Sequence, residues 1–237
     1  MPRYKACLFD LDGTLVDTLS SIAYFGNGAL AAFGLPAIET AAYRRLVGNG
    51  ADVLIRRMLE TVGAQLPPGR VQLLRAEYDR RYEDDPLALA GPYPGLPEVL
   101  GRLHRRGMRL GVLSNKPDNM ACYVARAFYG DVLSQVRGQR EGCPQKPDPA
   151  AALEMAARWG LRPQEVLYVG DSGVDMETGK NAGMDTCGVL WGFRGEAELA
   201  AHGAKHLAGD PGQLEMAAMG RFTQLFLKQA ALWGPDA

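Results

Sequence analysis

Four short apolar runs govern what this chain can fold into. "KACLFD" (5–10), "RLGVLSN" (109–115), "EVLYVGD" (165–171) and "DTCGVLWG" (185–192) each have the length of a strand, and each ends in a polar or glycine-bearing turn. None alternates cleanly between apolar and polar residues, as a strand with one wet face would. Runs of this kind predict strands covered on both faces, as in a parallel sheet. A weaker run, "DVLSQVRG" (131–138), is a fifth candidate.

Helical patterns separate these runs. "GLPEVLGRLHRRG" (95–107) sets Leu96, Val99, Leu100 and Leu103 on one face and closes at Gly107. "DPAAALEMAARWG" (148–160) opens with Asp148 as N-cap and Pro149 at the first helical position. "SGVDMETGKNAG" (172–183) starts a helix directly behind a strand. Alternation of strand and helix predicts an α/β body built on a doubly wound parallel sheet.

Residues 17–89 break the rhythm. "TLSSIAYFGNGALAAFG", "ADVLIRRMLETVG" and "GRVQLLRAEYDRRYEDD" carry helical periodicity with no convincing strand among them. The expected organisation is a helical cap over 17–89, inserted into an α/β core formed by 1–16 and 90–237. "GPYPGLPEVL" (91–100) marks re-entry into the core. At 47% apolar and 22% charged, the 237-residue chain has the means for a sizeable core.

A net charge of −1 offers no attraction to nucleic acid or an anionic membrane. Asp10 and Asp12 cut the N-terminal apolar stretch short of a secretory signal, and no window approaches the roughly 18 apolar residues of a membrane span. Cys7, Cys122, Cys143 and Cys187 form no C-x-x-C pair, which fits reduced thiols. A cytoplasmic enzyme, monomeric or homodimeric, is the expectation.

The chemistry lies where the strands end. In an open α/β sheet ligands bind at the C-terminal ends of the strands. Asp10 ends the first run, Ser114 and Asn115 the second, and Asp171 a third, with Asp175 just inside the next helix; Lys146 sits in a loop ahead of a helix. Clustered carboxylates behind a buried strand need positive charge nearby. His104, His202 and His206 match no metal-ligand spacing, and the chain holds no Walker loop, H-E-x-x-H or G-x-S-x-G.

"DLDGTLVD" (10–17), "LSN" (113–115), Lys146 and "GDSGVD" (170–175), in this order, make the chain resemble the haloacid dehalogenase-like phosphohydrolases over nearly its whole length. The resemblance implies a nucleophile at Asp10, which forms an aspartyl-phosphate. It implies Asp12 as general acid and base. A Mg2+ would be held by Asp10, the main-chain carbonyl of Asp12 and Asp171. Gly13, Thr14, Ser114, Asn115 and Lys146 would receive the phosphoryl group, and Asp175 would either support the metal shell or orient Lys146. Asp17 fits a helix N-cap at the cap junction. Asp12 argues against carbon–halogen cleavage, since relatives with that activity lack it.

Within the family the chain is most similar to bacterial phosphoglycolate phosphatases, through "RRLVGNGADVL" (44–54), "GPYPGLPEVL", "SNKP" (114–117) and "GVLWGFR" (188–194). The resemblance implies hydrolysis of a small phosphorylated metabolite, 2-phosphoglycolate first. Pyrophosphate, small sugar phosphates and a phosphomutase reaction are the alternatives. The carboxylate of phosphoglycolate needs a cationic or amide-rich partner, for which Arg44, Arg45 and the turn Gly48-Asn49-Gly50 are the candidates.

Overall fold

The structure, a computed structural model, describes residues 3–221, so the last sixteen residues of the expected core lie outside it. A six-stranded, fully parallel sheet runs in the order β5-β4-β1-β6-β7-β8. Its strands are β1 (Ala6–Phe9), β4 (Arg109–Pro117), β5 (Gln135–Gln139), β6 (Val166–Gly170), β7 (Asp185–Val189) and β8 (His206–Ala208). Both faces are covered, as the missing alternation requires. Cys7, Phe9, Val112 and Val169 pack on one side against Leu96, Val99, Leu100 and Leu103 of α5 (Leu96–Arg105). Ala6, Leu8, Val166 and Tyr168 pack on the other against Met155, Ala156 and Trp159, around α7 (Ala150–Arg158). Each large apolar side chain so buried contributes about 1.5–3 kcal/mol relative to exposure.

Between β1 and β4 the chain forms α1 (Leu19–Ala32), α2 (Tyr43–Leu46), α3 (Ala51–Thr61) and α4 (Pro68–Asp84). These helices close on a core of their own, in which Ile22, Phe25, Leu54, Met58, Leu74 and Tyr82 are buried. The chain leaves and re-enters the body through a two-stranded antiparallel ribbon, β2 (Val16–Asp17) with β3 (Gly91–Pro92). Asp17 Oδ1 accepts the N–H of Leu19, the first residue of α1, at 3.2 Å.

Several elements depart from the sequence reading. The run 131–138 begins in a 3₁₀ turn (Gly130–Val132), and its strand is shifted to 135–139. Strand β8 and the ribbon are too short to leave a pattern. α6 (Asp118–Tyr129), α9 (Glu196–Ala201) and α10 (Pro211–Ala218) complete the described chain, together with α8 (Gly173–Asn181). α7 starts one residue later than expected, with Pro149 rather than Asp148 at the N-cap, yet Asp148 Oδ1 still accepts the N–H of Ala150 at 2.9 Å. All four cysteines are free thiols. No helix among the described residues is long and apolar enough to cross a membrane.

Candidate active site

The chain runs outward from β1 to β4 and β5 on one side, then returns to place β6 on the other. Connections from β1 and β6 therefore diverge, and a crevice opens at their C-terminal ends. The helices α1 to α4, termed the cap below for their position over this crevice, leave a cavity of about 180 Å³ lined by residues of both parts, among them Asp10, Asp12, Ser114, Lys116, Lys146 and Asp171.

Asp10 and Asp171 follow neighbouring strands paired at Phe9 and Val169, so their carboxylates converge. With Asp175 they bring one oxygen each within 4.8 Å of one another. Lys146 Nζ lies 2.9 Å from Asp10 Oδ1 and 2.7 Å from Asp175 Oδ1, with its side chain 3% exposed. The contact to Asp10 is an ion pair without hydrogen-bond alignment, so this buried oxygen has no aligned donor. Burial pushes the Asp10 pKa up, against the pull of Lys146. Burial, then Asp175 and Asp10, push that of Asp171 up as well. Three buried carboxylates face one ammonium. The surplus of negative charge over the single ammonium and the all-oxygen donors fit a hard divalent cation held by Asp10 and Asp171.

Asp175 is fully buried and committed elsewhere. Its Oδ1 receives Lys146, and its Oδ2 accepts from Ser172 N at 3.1 Å and Ser172 Oγ at 2.6 Å. Of its two expected roles, orienting Lys146 is the one with a visible contact. Asp171 Oδ1 accepts from Thr14 Oγ1 at 3.1 Å and its Oδ2 from the N–H of Phe193 at 2.7 Å. Gly13 has φ +85°, and a Cβ there would collide with the Asp171 carboxylate and the Phe193 ring. The glycine is thus required by its conformation and by the packing of Asp171, beyond the approach of phosphate that the motif suggested. Asn115 ties the end of β4 to the lysine loop: its Oδ1 accepts from Lys146 N at 3.0 Å and its Nδ2 donates to Lys146 O at 3.3 Å. The Ser114 hydroxyl, nearly buried, lines the cavity.

Sequence reasoning missed Lys116. Its Nζ donates to both oxygens of Asp12, each at 3.2 Å, and to the hydroxyl of Tyr82 in the cap at 2.8 Å. Burial opposes its charge, but Asp12 and Tyr82 outweigh that and hold its pKa above the ordinary lysine value. The available signal was its position at the C-terminal end of β4, in "SNKP", where polar residues of this sheet reach the site.

Of the cap residues chosen from sequence, Gly48 and Gly50 line the cavity, whereas Arg44, Arg45 and Asn49 do not. α2 turns Tyr43 and Leu46 into the cap core, which leaves Arg44 and Arg45 facing outward and exposed. Arg44 Nη1 donates to Gly192 O at 2.8 Å, and Asn49 Oδ1 accepts from Arg57 at 3.0 Å. Besides the largely apolar segment from Val47 to Leu54, the cap presents a polar stripe of α4, Arg75, Tyr78, Asp79, Tyr82 and, near its end, Glu83. These positions recur at the three- and four-residue spacing of a single helix face. Arg75 is held by Asp79 at 3.0 Å and by Asp52.

Comparison with known proteins bears on this geometry. A family model described as haloacid dehalogenase-like hydrolase matches residues 4–183. An N-acetylmuramic acid 6-phosphate phosphatase of Pseudomonas aeruginosa is 33% identical over 219 residues, covering 90% of this chain and 93% of that protein. A phosphoglycolate phosphatase of Rhodospirillum rubrum is 36% identical over 197 residues, covering 81% and 82%. The crystal structure of a predicted phosphoglycolate phosphatase from Haemophilus somnus superposes with a TM-score of 0.85 at 28% identity, covering 90% of this chain and 97% of that one.

Proposed function

Because the chain belongs to the haloacid dehalogenase-like hydrolases, we propose that it is a magnesium-dependent phosphatase that cleaves a small phosphate monoester through an aspartyl-phosphate. The observation that carries this is the trio Asp10, Asp171 and Asp175 around Lys146 at the end of β1. Asp10 attacks phosphorus, the bond to the ester oxygen breaks, and Asp12 gives that oxygen its proton. Asp12 then takes a proton from water, whose oxygen displaces Asp10 and releases inorganic phosphate. A bound Mg2+, held by Asp10, Asp171 and the main-chain carbonyl of Asp12, would supply the charge that lets one anion approach another. Lys146 adds a fixed positive charge beside Asp10, and Ser114, with the turn at Gly13 and Thr14, offers donors to the phosphoryl oxygens. Residues 17–89 act as the cap, hinged at the β2–β3 ribbon. Asp10→Asn should abolish phosphate release from every ester; turnover within about tenfold of wild type would refute the nucleophile, since nucleophile loss costs orders of magnitude.

The α4 stripe favours a hydroxylated, sugar-like leaving group. Asp79 and Glu83 are acceptors for hydroxyls and would repel a second carboxylate, while Arg75 is already paired. The Pseudomonas relative, named for a sugar phosphate, supports the same class. 2-Phosphoglycolate is the second reading, supported by the Rhodospirillum relative. Ranking kcat/KM for sugar 6-phosphates against 2-phosphoglycolate decides between them. A lead of tenfold or more for the sugar esters, about 1.4 kcal/mol of transition-state preference, is expected; the reverse lead would reject the role given to α4.

A further inference from the structure

We propose that Lys116 is a positioning residue for Asp12, and that Tyr82 makes this positioning depend on a closed cap. The inference rests on the role assigned above to Asp12. Lys116 Nζ stands 3.2 Å from each Asp12 oxygen, and a cation bridging both oxygens fixes the plane of a carboxylate, which one hydrogen bond would leave free to turn. The side chain of Lys116 is 7% exposed and that of Asp12 18%, so the contact is largely shielded from solvent. Few donors in the site are so placed: Lys146, the other buried lysine of the cavity, is committed to Asp10 and Asp175.

The third contact of Lys116 is to a residue of the cap. Tyr82 Oη accepts from Nζ at 2.8 Å. The tyrosine is itself immobilised, 3% exposed, with its ring centroid 4.8 Å from that of Phe25 and 5.9 Å from that of Tyr78. A rigid aromatic of the cap core thus reaches across the cavity to the ammonium that orients the acid. Lifting the cap removes this partner and leaves Lys116, on its flexible stem, with Asp12 alone. Proton delivery to the leaving oxygen is then best aligned only when the cap is down and water is shut out, which couples closure to the chemical step.

Leaving-group dependence separates this role from others. An alkyl phosphate needs a proton as its alkoxide departs, whereas p-nitrophenolate leaves without one, and kcat/KM reports only steps through the first irreversible transfer. Lys116→Met should lower kcat/KM for an alkyl phosphate far more than for p-nitrophenyl phosphate, changing their ratio by about thirtyfold or more, within the range of general acid contributions. Tyr82→Phe should change the ratio in the same direction by a smaller factor, and the double variant should be no worse than Lys116→Met. An equal loss with both esters would overturn the proposal by making Lys116 a phosphate contact or a structural residue. Additive losses in the double variant would overturn the link to the cap. Should Lys116→Met fail to fold, the ratio in Tyr82→Phe carries the test, and an unchanged ratio there overturns the coupling. Asp12→Asn run alongside distinguishes the premise: if it leaves the alkyl-to-aryl ratio unchanged, Asp12 is not the acid, whatever Lys116 does.

Discussion

Replacing Lys146 by Met keeps an apolar stem of similar length and removes the ammonium from among three buried carboxylates. At 2.7–2.9 Å each ion contact has a gross Coulomb energy of about 6 kcal/mol at an effective dielectric constant near 20. Desolvation of the ammonium offsets much of this, and breaking a buried pair typically costs about 3–5 kcal/mol. A second route gives the same scale. A stranded carboxylate can take up a proton, which at pH 7.5 costs at most about 5 kcal/mol for a group with an unfolded pKa near 3.9. At pH 5.5 the same ceiling falls to about 2 kcal/mol. The loss must therefore shrink on acidification, because a carboxylate whose folded pKa is raised contributes stability below its unfolded pKa and loses it as pH rises through the folded one. Urea unfolding followed by circular dichroism, with EDTA present, at both pH values measures the difference. A loss under about 1 kcal/mol at pH 7.5, or an equal loss at both pH values, would refute the view that Lys146 is what holds these charges together.

Other consequences can be checked on the same preparations. Wild-type protein in EDTA should lose stability as pH rises from the ordinary carboxylate range toward neutrality, because burial raises both Asp10 and Asp171 in the folded state; a flat urea midpoint would contradict that burial. Mg2+ should raise the melting temperature of wild type and do so much less in Asp171→Asn, read by thermal unfolding over a metal titration. Gly13→Ala should cost about 2–4 kcal/mol, the sum of a left-handed φ and a forced shift of Asp171 or Phe193, read from the urea midpoint.

The parallel sheet was legible because strands buried on both faces show unbroken apolar runs, and Ala6 through Phe9 lie wholly inside. The site was legible for a related reason: charge at the end of such a run has no structural use, and Asp10 and Asp171 stood out against the strands carrying them. Lys116 did not stand out, since β4 continues two residues past the Ser-Asn turn expected to end it. The cap misled for a different reason. The arginines of α2 lie beside a glycine turn and look available, yet Tyr43 and Leu46 decide which way that short helix faces. The α4 stripe is as polar as any solvated helix face, and only docking of the cap over the crevice distinguishes it.

The central position of β1 has a bearing on how the chain assembles. Ala6 pairs with Arg109 on one side and with Val166 on the other. The strand that ends at Asp10 is made first by the ribosome and is satisfied late, once two distant segments have reached it. The cap helices, whose contacts are local in sequence, can form well before that. A chain interrupted before β6 would hold Asp10 beside an unpaired strand edge, without Asp171 or the Asp175 that steadies Lys146. Phosphatase activity can then arise only with completion of the sheet, so regain of turnover during refolding is a clock for the slowest, most non-local pairing in the molecule.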